Sequence, residues 1–323
     1  MRGASLQYFR SMIQADNTIL ITGGSGLAGM NLREHLQSQG FTRILAPTSA
    51  ECDLTERRAA MDYFDRHKPD YVFHMAGFVR GIMGNVRDQG EAYLKNALIN
   101  THVIDACHKA GVKKVVAMGT ASMYPDLEPG NPLTEADVWK GPPHFSEYGY
   151  AQAKRGMLAQ LQAYENSYSM PYAFAFCTNL YGPHDRFNTE TGHVIPSLIK
   201  KFHDARQSNT PVTVWGDGSA HRDFLYIKDA ARALHIIMNH ITGPVNLASG
   251  TTRKIRDVVD ILAAYSGVNR RIVWDASKPS GYTFRAYDVS RLQTAGFTCH
   301  YTLEQALHET YDWYASHSSA VRS

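Results

Sequence analysis

Cysteine is scarce in this chain and poorly spaced for structural use. The four thiols, Cys52, Cys107, Cys177 and Cys299, form no C-x-x-C pair. That argues against a zinc site or a disulfide framework, leaves no expected metal, and fits a reducing compartment. Long apolar runs are also missing. No stretch approaches the roughly 18 residues needed to span a bilayer, so no membrane is expected and the cytoplasm is the default location. Nor is there a block of one charge. No Lys/Arg run exceeds two residues and the formal net charge is +3, too small to argue for nucleic acid. A mildly basic balance with 15 histidines still suits an anionic small substrate. The first residues carry Arg2 and Arg10 with no acid before Asp16; a frayed N-terminus is the expected reading, ahead of a transit peptide.

What is present is an ordinary globular composition, 44% hydrophobic and 20% charged over 323 residues, enough for two lobes around a cleft. Short apolar runs alternate with helix-period segments. Thr18 to Thr22, Arg43 to Ala46, Tyr71 to His74, Lys114 to Met118 and Tyr172 to Phe176 read as strands. Leu27 to Ser38, Arg57 to Arg66, Ala92 to Ala110 and Gly149 to Ser167 read as helices. This alternation predicts an α/β fold, a Rossmann-type doubly wound parallel sheet covered on both faces. After Tyr181-Gly182-Pro183 the rhythm breaks into loops and short strands, Pro211 to Trp215 and Arg271 to Trp274. The expected organisation is a dinucleotide domain over 17–182 that also receives about 222–249, with Phe224 to Asn239 and Val245 to Ala248 returning to the main sheet. A smaller, interleaved α/β substrate domain takes 183–221 and 250–323.

Two motifs carry chemistry. Gly23, Gly26 and Gly29 follow the first strand in G-x-x-G-x-x-G spacing, with Leu27 opening the helix. Glycines there let backbone approach a pyrophosphate at a helix N-terminus. After the second strand, Ala46-Pro47-Thr48-Ser49 offers neither acid nor base, which favours NADP and leaves NAD open. Asp53, with Leu54 next to it, is placed near the adenine edge. The second motif is Tyr150-Ala151-Gln152-Ala153-Lys154. At i and i+4 the phenol and amine share a helix face. Lysine is expected to lower the phenol's pKa, so that the tyrosine gives a proton to a carbonyl oxygen as hydride arrives at carbon. Thr120, closing the fourth strand, adds a hydroxyl. Packing alone could explain a lone Tyr-x-x-x-Lys, but not the three features together.

Together these motifs resemble the extended short-chain dehydrogenase/reductase family. Thr178 to Asp185, Gly192-His193-Val194-Ile195-Pro196, Val214-Trp215-Gly216, Arg222-Asp223-Phe224 and Asp275 to Pro279 narrow the resemblance to its GDP-L-fucose synthase subfamily. That family uses NADPH on a GDP-bound 4-keto-6-deoxy sugar, epimerising C3 and C5 and reducing C4. The resemblance casts Tyr150, Lys154 and Thr120 as the reductase set and His193 as an epimerisation acid/base. Asn179 and Leu180 would line the nicotinamide, and Lys201, Trp215, Arg222 and Arg285 would contact the nucleotide sugar. Relatives dimerise through two helices, which implies a homodimer here through Ala92 to Ala110 and Gly149 to Ser167.

The chain departs from that family where it matters. Ser122 stands where the family has its second epimerisation group, a cysteine. A thiol titrates near 8.5 and an aliphatic hydroxyl is far less acidic; no activating base beside Ser122 is evident in sequence. Arg80 adds bulk and charge near the sugar, and Ser280 replaces an Asp. The expectation is a C4-ketoreductase of a GDP-linked hexose or heptose, with epimerisation reduced or lost. The alternatives are a fully active GDP-L-fucose synthase and, from another class, a non-catalytic NADP-binding sensor or scaffold. The proton-donor set argues against a sensor.

Overall fold

The computed structural model describes residues 13–79, 86–126, 130–189, 192–268, 272–277 and 284–319. The first half runs β1 (Ile19–Thr22), α1 (Leu27–Ser38), β2 (Ile44–Leu45), α2 (Arg57–His67), β3 (Tyr71–His74), α3 (Gln89–Ala110), β4 (Lys114–Met118), α4 (Tyr148–Tyr168) and β5 (Tyr172–Cys177). The second half runs β6 (Asn179–Tyr181), α5 (Val194–Ser208), β7 (Val212–Trp215), β8 (His221–Tyr226), α6 (Ile227–His240) and β9 (Gly243–Leu247). It closes with β10 (Thr252–Lys254), α7 (Ile255–Ser266), β11 (Ile272–Asp275), α8 (Ser290–Thr294) and α9 (Leu303–His317).

Strand residues sort by parity, because successive side chains point to opposite faces of a sheet. Ile19, Ile21, Tyr71, Phe73, Val116, Ala173 and Ala175 enter one buried cluster, together with Leu32 and Leu36 of α1 and Leu234 and Ile237 of α6. Leu20, Val72, Val115, Ala117, Phe174 and Phe176 enter the other, with Phe64 of α2, Val103 and Ile104 of α3 and Leu158 and Leu161 of α4. Both faces are therefore covered, and the strands are apolar on both sides.

The main sheet has the order β2-β1-β3-β4-β5-β9, all pairs parallel. Because β2 and β3 flank β1 on opposite sides, the winding reverses there. The crevice beyond the carboxyl ends of β1 and β3 is where such sheets bind ligands. A three-stranded sheet, β10-β8-β6, and a two-stranded one, β11-β7, stand beside it. Helices α5, α7 and α9 pack on one another, and their cores (Ile199, Phe202, Leu262, Leu307) continue the first cluster.

The structure corrects the expected return to the main sheet. Only α6 and β9 go back to it; β8 pairs parallel with β6 and antiparallel with β10. The stretch Asn179–Tyr181, read from sequence only as a motif, is itself a strand. Helix α3 starts at Gln89, a turn ahead of the expected Ala92, and β2 shrinks to Ile44–Leu45. No helix among the described residues is long and apolar enough to cross a membrane.

Candidate active site

The glycine loop divides into positions the protein itself requires and one it does not. Gly23 has φ +70°, and a Cβ there would lie 2.8 Å from Ala76 backbone atoms. A Cβ on Gly29 would lie 2.4 Å from the Gly23 carbonyl oxygen and 2.6 Å from Gly24 Cα. Gly26, the N-cap of α1, is different: an added Cβ would meet only Gly23 O, at 3.4 Å. No side chain caps α1 and no acid occupies its first turn. The helix thus presents unadorned N–H groups and a positive dipole end to whatever lies outside, an arrangement that fits a pyrophosphate. Leu27 packs half-buried against the core beneath.

The segment after β2 touches this loop, since a Cβ on Gly24 would meet Ala46 Cβ at 2.6 Å. Glu51 folds back there, its carboxylate accepting from Thr48 N at 2.8 Å and Thr48 Oγ1 at 2.9 Å. The exposed Asp53 accepts from Thr55 N and Oγ1, which hold its carboxyl below the usual range. Leu54 is half-buried against the second cluster.

Beneath the crevice runs a polar network that sequence reading missed. Thr22 Oγ1 meets His74 Nδ1 at 2.7 Å, His74 Nε2 meets Asn100 Oδ1 at 3.1 Å, and Asn100 Nδ2 donates to Ala153 O at 3.3 Å. Burial, then the Lys154 charge, pushes His74 down to about 3, so a neutral ring links β1, α3 and α4. The available signal was a histidine in an otherwise apolar buried strand. Lys154 lies on the next residue. The residue is 2% exposed; its ammonium donates to Met118 O at 3.0 Å, and burial pulls it down to about 8.

Tyr150 stands one turn before Lys154, half-buried. Here the sequence expectation is reversed: burial first, then the Glu147 carboxylate, pushes the phenol up. The phenol therefore holds its proton, which suits a donor. Thr120 Oγ1 donates to Ser122 Oγ at 3.3 Å and accepts from Ser122 N at 3.2 Å. Ser122 Oγ donates in turn to Glu147 Oε2 at 2.7 Å. A carboxylate does stand beside Ser122, contrary to the sequence reading. Glu147 precedes Tyr150 by three residues, the spacing that shares a helix face, and that was its only trace in the sequence.

Two arginines clamp the turn that carries Ser122. Arg155 donates through Nε to Met123 O at 3.0 Å and through Nη2 to Gly141 O at 2.7 Å. Arg285, 8% exposed, reaches Ala121 O at 3.1 Å, Pro125 O at 3.3 Å and Tyr124 O at 3.4 Å. These three bonds all go to backbone carbonyls. Nearby, Asn179 Nδ2 and Thr178 Oγ1 donate to Asp223 O at 2.9 and 2.8 Å. Arg222 and Arg285 both act electrostatically on Tyr287, whose phenol burial pushes up to about 12. Leu180 is buried in β6.

Further out, Trp215 is 44% exposed, so its indole is not core packing. Lys201 Nζ lies 5.4 Å from its ring and donates to Thr213 O at 3.0 Å. His193 is exposed at the N-cap of α5, within electrostatic reach of Asp185. Asp185 is buried, one carboxylate oxygen has no hydrogen-bond partner among the described residues, and burial raises it to about 6. No hydrogen bond among the described residues joins His193 to the Tyr150 set. Arg80 and Ser280 lie outside the described residues.

Residues 19–248 match the NAD dependent epimerase/dehydratase family. A probable GDP-L-fucose synthase 1 of Oryza sativa subsp. japonica is 36% identical over 300 residues, 92% of this chain and 91% of the relative. A GDP-L-fucose synthetase of Naegleria fowleri bound to NADP superposes with TM-score 0.89 at 31% identity, over 96% of both chains. A GDP-mannoheptose C4 reductase of Campylobacter jejuni with NADP bound does so with TM-score 0.84 at 27% identity, over 94% of this chain and 99% of the other. The chain therefore belongs to the NAD dependent epimerase/dehydratase family and, within it, to the GDP-L-fucose synthases, and is an oxidoreductase by membership.

Proposed function

We propose that this protein is an NADPH-dependent C4-ketoreductase of a GDP-linked 4-keto-6-deoxy sugar, hexose or heptose, with double epimerisation reduced. The observation that carries the reading is the placement of Tyr150 one turn before Lys154 on α4, with the Lys154 ammonium anchored on Met118 O at 3.0 Å. The dinucleotide fits at the glycine loop, where a Cβ on Gly26 would stand in its way but clash with nothing in the protein. NADPH supplies the hydride when bound. Preference over NADH is supported by relatives that hold NADP. On this reading Gly23, Gly26, Leu27, Gly29, Asp53, Leu54, Asn179 and Leu180 serve the dinucleotide, within 17–182 and 222–249. Lys201, Trp215, Arg222 and Arg285 surround the nucleotide sugar, within 183–221 and 250–323.

Tyr150 gives its proton to the C4 oxygen as hydride reaches C4. Lys154 lowers the cost of the phenolate left behind, an effect stronger in a buried site than in water. Ser122 cannot replace a thiol: donating to a carboxylate raises the cost of ionising a hydroxyl that is already weakly acidic. A homodimer through the outer faces of α3 and α4 is part of the reading, since Tyr93, Leu94 and Tyr168 stay exposed there; sedimentation of the purified protein tests it.

The test is incubation of the protein with NADPH and a GDP-linked 4-keto-6-deoxyhexose in deuterated water. Reduction with solvent deuterium at no more than one of the flanking carbons supports the reading. Deuterium at both C3 and C5 would establish the full epimerase and overturn the reduced-epimerase part. No reduction would overturn the whole.

A further inference from the structure

Glu147 is an acid at the mouth of a helix that does not cap it. It holds the N-cap position of α4 but makes no cap hydrogen bond. One oxygen, Oε2, accepts a hydrogen bond from Ser122 Oγ at 2.7 Å, and among the described residues the side chain makes no other hydrogen bond or ion pair. The residue is half-exposed. The carboxylate is also within electrostatic reach of the Tyr150 phenol, and Ser122 Oγ is 3.3 Å from Thr120 Oγ1. Thus the two groups that would meet a ketone oxygen, Tyr150 and Thr120, both neighbour Glu147 or its partner. The carboxylate therefore stands on the side chain that occupies the position of the family's second epimerisation group.

We propose that Glu147 is an acid/base residue that exchanges the proton on one carbon next to the ketone, with Ser122 as its positioning partner. The proposal rests on the keto-sugar reading above. In the step, the C–H bond breaks and its proton passes to Glu147. The electron pair moves into a C–C double bond as the carbonyl becomes an enol, whose oxygen takes the Tyr150 proton. Reversal returns a proton to carbon, so no oxidant or reductant is consumed. A positioned carboxylate is chemically competent for abstraction beside a carbonyl, where a lone serine hydroxyl is not. Ser122 contributes by fixing one carboxylate oxygen.

The test uses the full chain, a GDP-linked 4-keto-6-deoxyhexose, deuterated water and no NADPH, with deuterium located by NMR of the recovered sugar. The wild-type protein is expected to place deuterium at one flanking carbon. Glu147→Gln should slow that exchange by about a hundredfold or more, Ser122→Ala by about tenfold, and Glu147→Asp should recover part of the Gln loss. If Glu147→Gln does not fold, Glu147→Asp carries the test, and must slow exchange more than it slows NADPH oxidation. Reduction without exchange in the wild type would overturn the proposal and leave the reductase standing. Exchange that survives Glu147→Gln, or that Ser122→Ala abolishes while Glu147→Gln does not, would also overturn it. Failure of the wild type to oxidise NADPH with the keto sugar would instead strike the reading beneath.

Discussion

The ammonium of Lys154 is held on the carbonyl of Met118 at 3.0 Å, a bond that ties α4 to the end of β4 just before Thr120. The helix that carries the phenol and the strand that leads into the hydroxyl are thereby fixed to each other. The same lysine is buried and pulled down to about 8.

A pH dependence follows from that value. Lys154 loses its charge as pH rises through about 8, while the raised phenol keeps its proton. The rate of ketone reduction, followed as kcat/KM for the keto sugar, is expected to fall above that pH, and Lys154→Met should be slower throughout and lack this limb. Linkage has the opposite sign for stability. The unfolded lysine binds its proton up to its ordinary pKa, so stability rises with pH between about 8 and that value. An activity loss accompanied by a falling Tm in this window would contradict the assignment.

The glycine loop separates folding from binding. Gly29→Ala would press a methyl into the Gly23 carbonyl at 2.4 Å, and is expected to lower both Tm and NADPH affinity. Gly26→Ala meets only an ordinary 3.4 Å contact, so Tm should hold while affinity for NADPH drops by about tenfold or more. Fluorescence titration with NADPH alongside thermal melts checks the contrast.

The guanidinium of Arg285, a residue that the family resemblance assigns to the sugar nucleotide, spans Ala121 O, Tyr124 O and Pro125 O. Arg285→Ala would leave buried carbonyls without those donors, at a cost of about 2–3 kcal/mol. Lysine, a point donor, cannot reach all three. Both variants are expected to lower Tm and kcat. Loss of GDP affinity at unchanged Tm would show that the residue serves the ligand alone.

Much of this was legible in the chain because the signals are local. The parity of Ile19, Leu20 and Ile21 announces a strand buried on both faces, and the Gly23–Gly29 spacing and the Tyr150–Lys154 interval are fixed by helix geometry. What escaped depends on distant pairing. Glu147 and Ser122 are brought together by the docking of α4 on the turn after β4, and His74 reaches Asn100 only through the packing of α3 on the sheet. The direction of the Tyr150 shift is likewise hidden from the sequence, because proximity of charge is visible there whereas burial, which dominates both groups, is not.

The most direct measurement is NADPH oxidation by Tyr150→Phe with a GDP-linked 4-keto-6-deoxyhexose, made alongside NADPH binding and Tm. The account predicts a fall in kcat of about a hundredfold or more, with binding and Tm close to those of the wild type. Oxidation at the wild-type rate in a folded, NADPH-binding variant would contradict it.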